Sequence, residues 1–277
     1  MSLERCVAAL DRACTDLHAE IVVVQATDSP ADPAPASCTP LRTLHVRAGA
    51  LVPQLWKHGF DVTRGECVAF TLANCEVSEG WAREMLSALH AEAAGVGGPI
   101  ECAPDLGLVD RAVYYLRYSA FLPSRVVDGL VSGEIPGDNA AYRHEALARH
   151  RDAIADGFFE VLFHVRLRRD GATLCMRRGA AARFWGGVSL RDAIRHRFAH
   201  GRHFGAWRVS EGQRSWWQIG LAAPVVPFLL ALRAAGRVVN STARRWHFVS
   251  ALPAFLVIAS AWAAGEAFGA VRGAGLR

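Results

Sequence analysis

The sequence predicts an α/β fold, a mostly parallel sheet flanked by helices, followed by a C-terminal apolar helical hairpin. Three observations carry this expectation. Short apolar strands alternate with amphipathic helices over the first 94 residues. One strand, E-I-V-V-V at 20–24, is continuously apolar, as in strands buried on both faces of a parallel sheet. Two long apolar stretches close a chain of 277 residues, enough for one sizeable domain with an appendage.

Taken in order, residues 1–17 read as a helix, with Leu3, Cys6, Val7, Leu10, Cys14 and Leu17 on one stripe. After the 20–24 strand, residues 25–40 are rich in Pro, Ala, Ser and Asp and read as a loop. A second strand follows at 41–46, a helix at 50–59, and a third strand at 67–71 after the Gly65-Glu66 turn. Residues 78–94 form a helix that Ser78 would N-cap, with Glu79 in its first turn. The segment 112–121 is helical or extended and holds three of the four tyrosines; core filling is its plain role, an aromatic acceptor patch the alternative. A short strand at 173–176 and a basic helix at 189–204 complete the part before the tail.

Composition narrows the partners. An apolar fraction of 52% and a positive mean hydropathy point to membrane contact. Lys57 is the single lysine among 31 basic side chains, which reads as the codon bias of a GC-rich bacterial genome and gives no nucleic-acid signature. The net charge of +5 is modest, and the arginines gather after Arg143, suiting anionic lipid or a diphosphate. Seven scattered cysteines without a C-x-x-C are expected to be free thiols in a reducing compartment. No basic segment followed by an apolar run opens the chain as a signal peptide would.

The stretch 133–171 organises the rest. A Gly/Pro turn leads through Asp138 and Asn139 to Tyr142 and Arg143, and Glu160, His164 and Arg168 then share one stripe of a helix at i, i+4, i+8. A carboxylate among Phe158, Phe159 and Phe163 has the surroundings of a base; an acidic first turn is more often a partner for the helix dipole. His196, His200 and His203 have metal-like spacing, but surrounding arginines oppose a cation there.

These segments resemble family-2 glycosyltransferases, inverting enzymes of the GT-A fold. Gly137, Asn139, Ala141, Tyr142, Arg143, Glu145 and Leu147 fit the family's G-x-N-x-A-Y-R-R-E-x-L, and Glu160, Arg166, Leu167 and Gly171 fit its following E-…-R-L-x-x-x-G block. Earlier motifs stand in the family's order: 3–10 for its first helix, 20–29 for its strand and loop, 65–70 for G-E-x-V-A-F, and Leu72-Ala73-Asn74 through Gly80-Trp81 for the D-D-D block. The resemblance implies a nucleotide-sugar donor, a hydroxyl acceptor (lipid-linked or an envelope glycan), and Glu160 as general base. It implies Asp138, Asn139, Tyr142 and His164 at the acceptor. It places Asp28 and Asn74 at the donor, with Arg197 and Arg202, in the family's R-x-x-x-G-R segment, on the diphosphate.

Three departures bear on catalysis. The family's first strand would precede residue 1, from which either a misassigned start or a lost sheet element is expected. Gln25 replaces the usual nucleotide-contacting Asp, with Asp28 as its substitute. The D-x-D is reduced to Asn74, with Glu76 two residues on, leaving Mg²⁺ or Mn²⁺ without its usual ligands, so no metal site is assigned. Metal-independent transfer using arginines, a changed donor, and an inactive enzyme all fit.

The tail holds apolar stretches at 219–232, with Pro224 and Pro227, and at 248–264, with Pro253. Both fall short of the roughly 20 apolar residues of a full span. Trp216, Trp217, Trp246 and Trp262 are placed as interfacial indoles, and a connector with Arg233, Arg237, Arg244 and Arg245 disfavours an outside loop. A re-entrant or interfacial hairpin is favoured over two spans, with a buried helical pair on the sheet as the plain alternative. The expectation is therefore a glycosyltransferase domain at 1–212, split into a donor half (1–94) and an acceptor half (95–212), with a membrane-associated hairpin at 213–277. It would sit at the cytoplasmic face of a bacterial plasma membrane, contacting lipid and no nucleic acid. The rival is a catalytically inactive GT-A-like membrane scaffold.

Overall fold

Helix α1 (Ser2–Ala13) turns Cys6, Val7, Ala9 and Ala13 inward, and β1 (Ile21–Ala26) then pairs in parallel with β2 (Leu41–Val46), Ile21 opposite Leu41. The computed structural model describes residues 2–28, 34–91, 93–238 and 242–273; Ser29, the last residue of the expected strand-and-loop motif, lies outside them. Next come α2 (Val52–Phe60), β3 (Cys67–Phe70), β4 (Cys75–Val77), α3 (Trp81–His90), β5 (Gly95–Gly97), β6 (Ile100–Cys102) and α4 (Leu108–Tyr118). They are followed by β7 (Gly129–Val131), β8 (Ala140–Arg143), α5 (His144–Arg149), α6 (Glu160–Arg169), β9 (Leu174–Met176) and β10 (Ala182–Phe184). Helices α7 (Leu190–Ser210), α8 (Trp216–Ala222), α9 (Val226–Val238) and α10 (Thr242–Arg272) end the chain. Two units emerge: residues 1–101 with 121–185, and residues 102–120 with 186–277.

The first unit is α/β, but its sheets are mixed, which corrects the expected mostly parallel sheet. The central sheet runs β3-β8-β5-β9-β7; β8 is antiparallel to both β3 and β5, β7 is antiparallel to β9, and only β5 and β9 run together. A second sheet runs β4-β10-β6, with β10 antiparallel to β4. Alternation of strand and helix in sequence signals parallel crossovers; it carries no information on the direction from which residues 140–143 enter the sheet.

Side-chain alternation along these strands builds a layer on each face of the central sheet. Val68, Phe70, Ala140, Tyr142, Leu174 and Met176 face Trp56 and Phe60 of α2, Leu147 of α5, and Phe163 and Leu167 of α6. The intervening Val96, Ala141 and Cys175 pack with Ala9 and Ala13 of α1 and with Trp81, Met85 and Leu89 of α3. Helix α3 starts at Trp81 behind Gly80, and Ser78 is not its cap: its hydroxyl donates to Gly179 O at 2.9 Å and its N–H to Ala181 O, so the sheet claims it first.

The second unit is helical. Tyr114, Tyr115 and Tyr118 on α4 are buried, so the core reading of the tyrosines holds; the Tyr115 hydroxyl donates to Arg244 O at 3.3 Å, and burial pushes its pKa up to about 12. Helix α7, N-capped by Ser189, packs on α10 with main chain against main chain. A Cβ on Gly201 would lie 2.1 Å from Trp262 O, one on Gly205 2.0 Å from Glu266 O, and one on Gly269 1.9 Å from Arg202 O. Only glycine permits that approach. Buried Glu266 is paired with Arg208 across the same contact.

The tail differs from a hairpin of two short helices. Helices α8 and α9 are bent by 64° at their junction, where Pro224 lacks an N–H and its ring obstructs the preceding turn. Helix α10 is longer than expected and continuous through Pro253; its Arg244–Arg272 portion, 29 residues, is long and apolar enough to cross a membrane.

Candidate functional site

The two halves of the 133–171 stretch come together in the first unit. Helix α6 begins at Glu160 behind Phe159, which offers no side-chain cap, so Glu160 is the acidic residue of the first turn, at the positive end of the helix dipole. Its side chain packs on Gly137: a Cβ there would lie 3.0 Å from Glu160 Cδ, so that turn needs a glycine or a displaced carboxylate. One and two turns further along α6, His164 and Arg168 occupy the same stripe.

His164 is fully buried between two partners. Its Nε2 lies 2.7 Å from the Tyr142 hydroxyl, and its Nδ1 meets Glu134 Oε2. Arg168 Nη2 donates to Glu134 Oε1 at 2.7 Å, and Nη1 to Gly133 O at 3.2 Å. Burial would raise the Glu134 pKa, but the hydrogen bond and charge of His164 and those of Arg168 outweigh it and hold the carboxyl below its ordinary value. An ionised Glu134 accepts from the His164 Nδ1–H, and in the neutral imidazole Nε2 is then the acceptor that faces the Tyr142 hydroxyl. The Tyr142 hydroxyl is pushed well up, first by burial, then by the charges of Glu160 and Glu134. Room for the Tyr142 ring comes from Gly95 across the β5–β8 pair, whose Cβ would lie 2.6 Å from Tyr142 Cδ1.

Asn139 is also fully buried: it accepts from Trp81 Nε1 at 2.6 Å and donates from Nδ2 to Pro99 O at 3.0 Å and Ala180 O at 2.9 Å. Asp138 beside it is 3% exposed. The polar atoms of Asn139, Tyr142 and His164 thus meet protein partners, and Glu160 and Glu134 are the partly exposed acids of the group. Arg143 caps the end of α3, donating to Leu89 O from Nε at 3.0 Å and from Nη2 at 2.5 Å.

The donor-side candidates belong to both units. Asp28, after β1, accepts from Ala48 N at 3.0 Å, and Asn74 gives its carbonyl to Trp185 N at 2.9 Å. Glu76 accepts from Trp185 Nε1 at 2.8 Å and lies 3.6 Å from Arg12. These residues do not fit a hard divalent cation: Asn74 brings a neutral amide, and the one nearby carboxylate, Glu76, is engaged by the Trp185 indole and faces Arg12. Among the described residues, no group of three or more His, Cys, Asp or Glu is placed to hold a metal ion. Arg197 and Arg202 lie on α7 in the second unit, with His196, His200 and His203. Burial first, then Arg197, Arg117 and His203, lowers the His200 pKa to about 3.

Glu134 is the residue that sequence reasoning left out of the site. It precedes the Gly/Pro turn without periodicity or motif, and only its proximity to residues 30 and 34 positions later in the chain gives it meaning.

No protein-family model matches the chain, and no curated protein matches it. Among solved structures, residues 1–349 of S. aureus TarS align with a TM-score of 0.47 at 10% identity, over 93% of this chain and 86% of that chain.

Proposed function

We propose that this protein is an inverting glycosyltransferase-like enzyme acting on a nucleotide-sugar donor and a hydroxyl acceptor, with Glu160 as general base. What carries the reading is the placement of Glu160: a partly exposed carboxylate at the head of α6, resting on the Gly137 turn that the sequence motif pairs with it. A base at this position must be ionised to take up the proton. As the acceptor oxygen attacks the anomeric carbon, Glu160 takes its proton; the bond from that carbon to the diphosphate breaks, and the configuration inverts.

The test is release of nucleoside diphosphate from UDP- and GDP-sugars by wild type and Glu160→Gln. Turnover unchanged in the variant removes Glu160 from the mechanism. A thermal-shift titration with UDP and GDP separates enzyme from scaffold: saturable binding supports the former, and none at millimolar nucleotide supports the latter.

Association with a membrane belongs to the same proposal. Trp216, Trp217, Leu221, Phe228 and Leu232 on α8 and α9 are exposed, as are Arg214 and Arg233 nearby. Apolar and basic side chains in that arrangement suit the headgroup region of anionic lipid, where a lipid-linked acceptor would be met.

A further inference from the structure

Residues 133–137 form a strap that runs along α6 against the helix direction. Gly137 lies under Glu160, Glu134 meets His164 one turn on, and Glu134 with the Gly133 carbonyl meets Arg168 one turn further. Ile135, between the two contacts, is 1% exposed and anchored in the core beside Phe163 and Leu167. The strap is therefore fixed to the sheet side of the fold, and its one carboxylate engages α6 at two successive turns.

We propose that Glu134 is the positioning residue for Glu160: by gripping His164 and Arg168 together it sets the register of α6 on the strap, and so where the Glu160 carboxylate stands over Gly137. This rests on the reading of Glu160 as base. Both oxygens of Glu134 are engaged, one by each partner, so the grip resists sliding along the helix as well as rotation about it. His164 is held in turn by the Tyr142 hydroxyl from β8, which ties the register to the central sheet. Without Glu134, the His164 Nδ1–H and the Arg168 guanidinium lose the acceptor that they share, and with it the charged tie between the strap and two successive turns of α6.

The experiment uses the full chain with ¹³C-carboxyl-labelled glutamate, the Glu160 resonance being identified by its loss in Glu160→Gln. In Glu134→Gln that resonance is expected to move, and its titration midpoint to shift by about one pH unit, the scale of a lost neighbouring charge or hydrogen bond. Glu134→Asp, which keeps the charge, should restore part of the shift, and Arg168→Gln should reproduce part of it should Glu134→Gln fail to fold. In the nucleotide-sugar assay, kcat should fall about 10- to 100-fold in Glu134→Gln while KM stays within about twofold, as misplacement of a reacting group does. A Glu160 resonance and midpoint unchanged in folded Glu134→Gln and Arg168→Gln, with only thermal stability lowered, overturns the proposal whatever the activity. Loss of the base assignment alone is read separately, from Glu160→Gln turning over like wild type.

Discussion

His164 is hydrogen-bonded to Glu134 through Nδ1 and to the Tyr142 hydroxyl through Nε2, so a fully buried imidazole bridges helix α6, strand β8 and the loop before Gly137. Removing it leaves a buried hydroxyl and a partly buried carboxylate without their shared partner. His164→Ala should destabilise the protein by about 2–4 kcal/mol, measured by urea unfolding, because desolvated groups then lack compensation and a cavity remains.

Asn139 offers a similar test on the other face of the sheet. Asn139→Ala strands the Trp81 indole N–H and the carbonyls of Pro99 and Ala180. A loss of about 3 kcal/mol is expected from urea unfolding, with the Trp81 fluorescence environment altered in the native baseline.

Glycines in the helical unit should divide sharply. Gly205→Ala and Gly269→Ala each put a methyl within 2.0 Å of a facing carbonyl and should displace α10 from α7, seen as a large fall in Tm or loss of helical signal. Gly220→Ala on α8 and Gly236→Ala on α9 meet nothing within 4 Å, and should stabilise by about 0.5–1 kcal/mol through helix propensity.

Stability should fall on mild acidification. The unfolded chain takes up the His200 proton near its ordinary value of 6.5, whereas the folded chain does so only at about 3. Proton uptake therefore favours unfolding as pH drops below 6.5, and the loss grows until the folded pKa is reached. His196 is lowered in the same direction, by burial and then by Arg195. His200→Gln should flatten the stability profile between about pH 6.5 and 5, a window above the ordinary titration range of the carboxylates. Chemical denaturation at a series of pH values reads this directly.

Binding to vesicles should depend on the exposed face of α8 and α9. Replacing Trp216, Trp217, Phe228 and Leu232 together by Ser should cut co-sedimentation with phosphatidylglycerol vesicles at least about tenfold, each large apolar side chain contributing roughly 1.5–3 kcal/mol when buried. Equal binding by the variant would count against membrane docking at this face.

Much of the site was legible because its members lie within one short stretch. The i, i+4, i+8 spacing placed Glu160, His164 and Arg168 on one stripe of α6, as the helix shows. Glu134 was invisible since nothing local ties residue 134 to a helix beginning at 160; only tertiary packing does. The G-x-x-x-G spacings of Gly201 with Gly205 and of Gly265 with Gly269 were present in the sequence. The first pair lies among arginines and histidines that drew the reading toward phosphate, and the second at the end of the apolar tail that was read as membrane-facing. Strand direction was the least accessible, because a four-residue segment such as 140–143 satisfies either orientation equally well.

The second unit is built from two pieces of chain, with α4 supplied about 70 residues before α7. During synthesis α4 leaves the ribosome long before α7 and α10 exist, so the face of Tyr115 that packs on Phe248 must wait uncovered. A chain cut after residue 212 would keep that face bare permanently, along with the glycine side of α7. Removing the tail is therefore a folding lesion as well as the loss of an anchor, and a truncated product that precipitates would reveal an orphaned helix rather than an affinity for lipid.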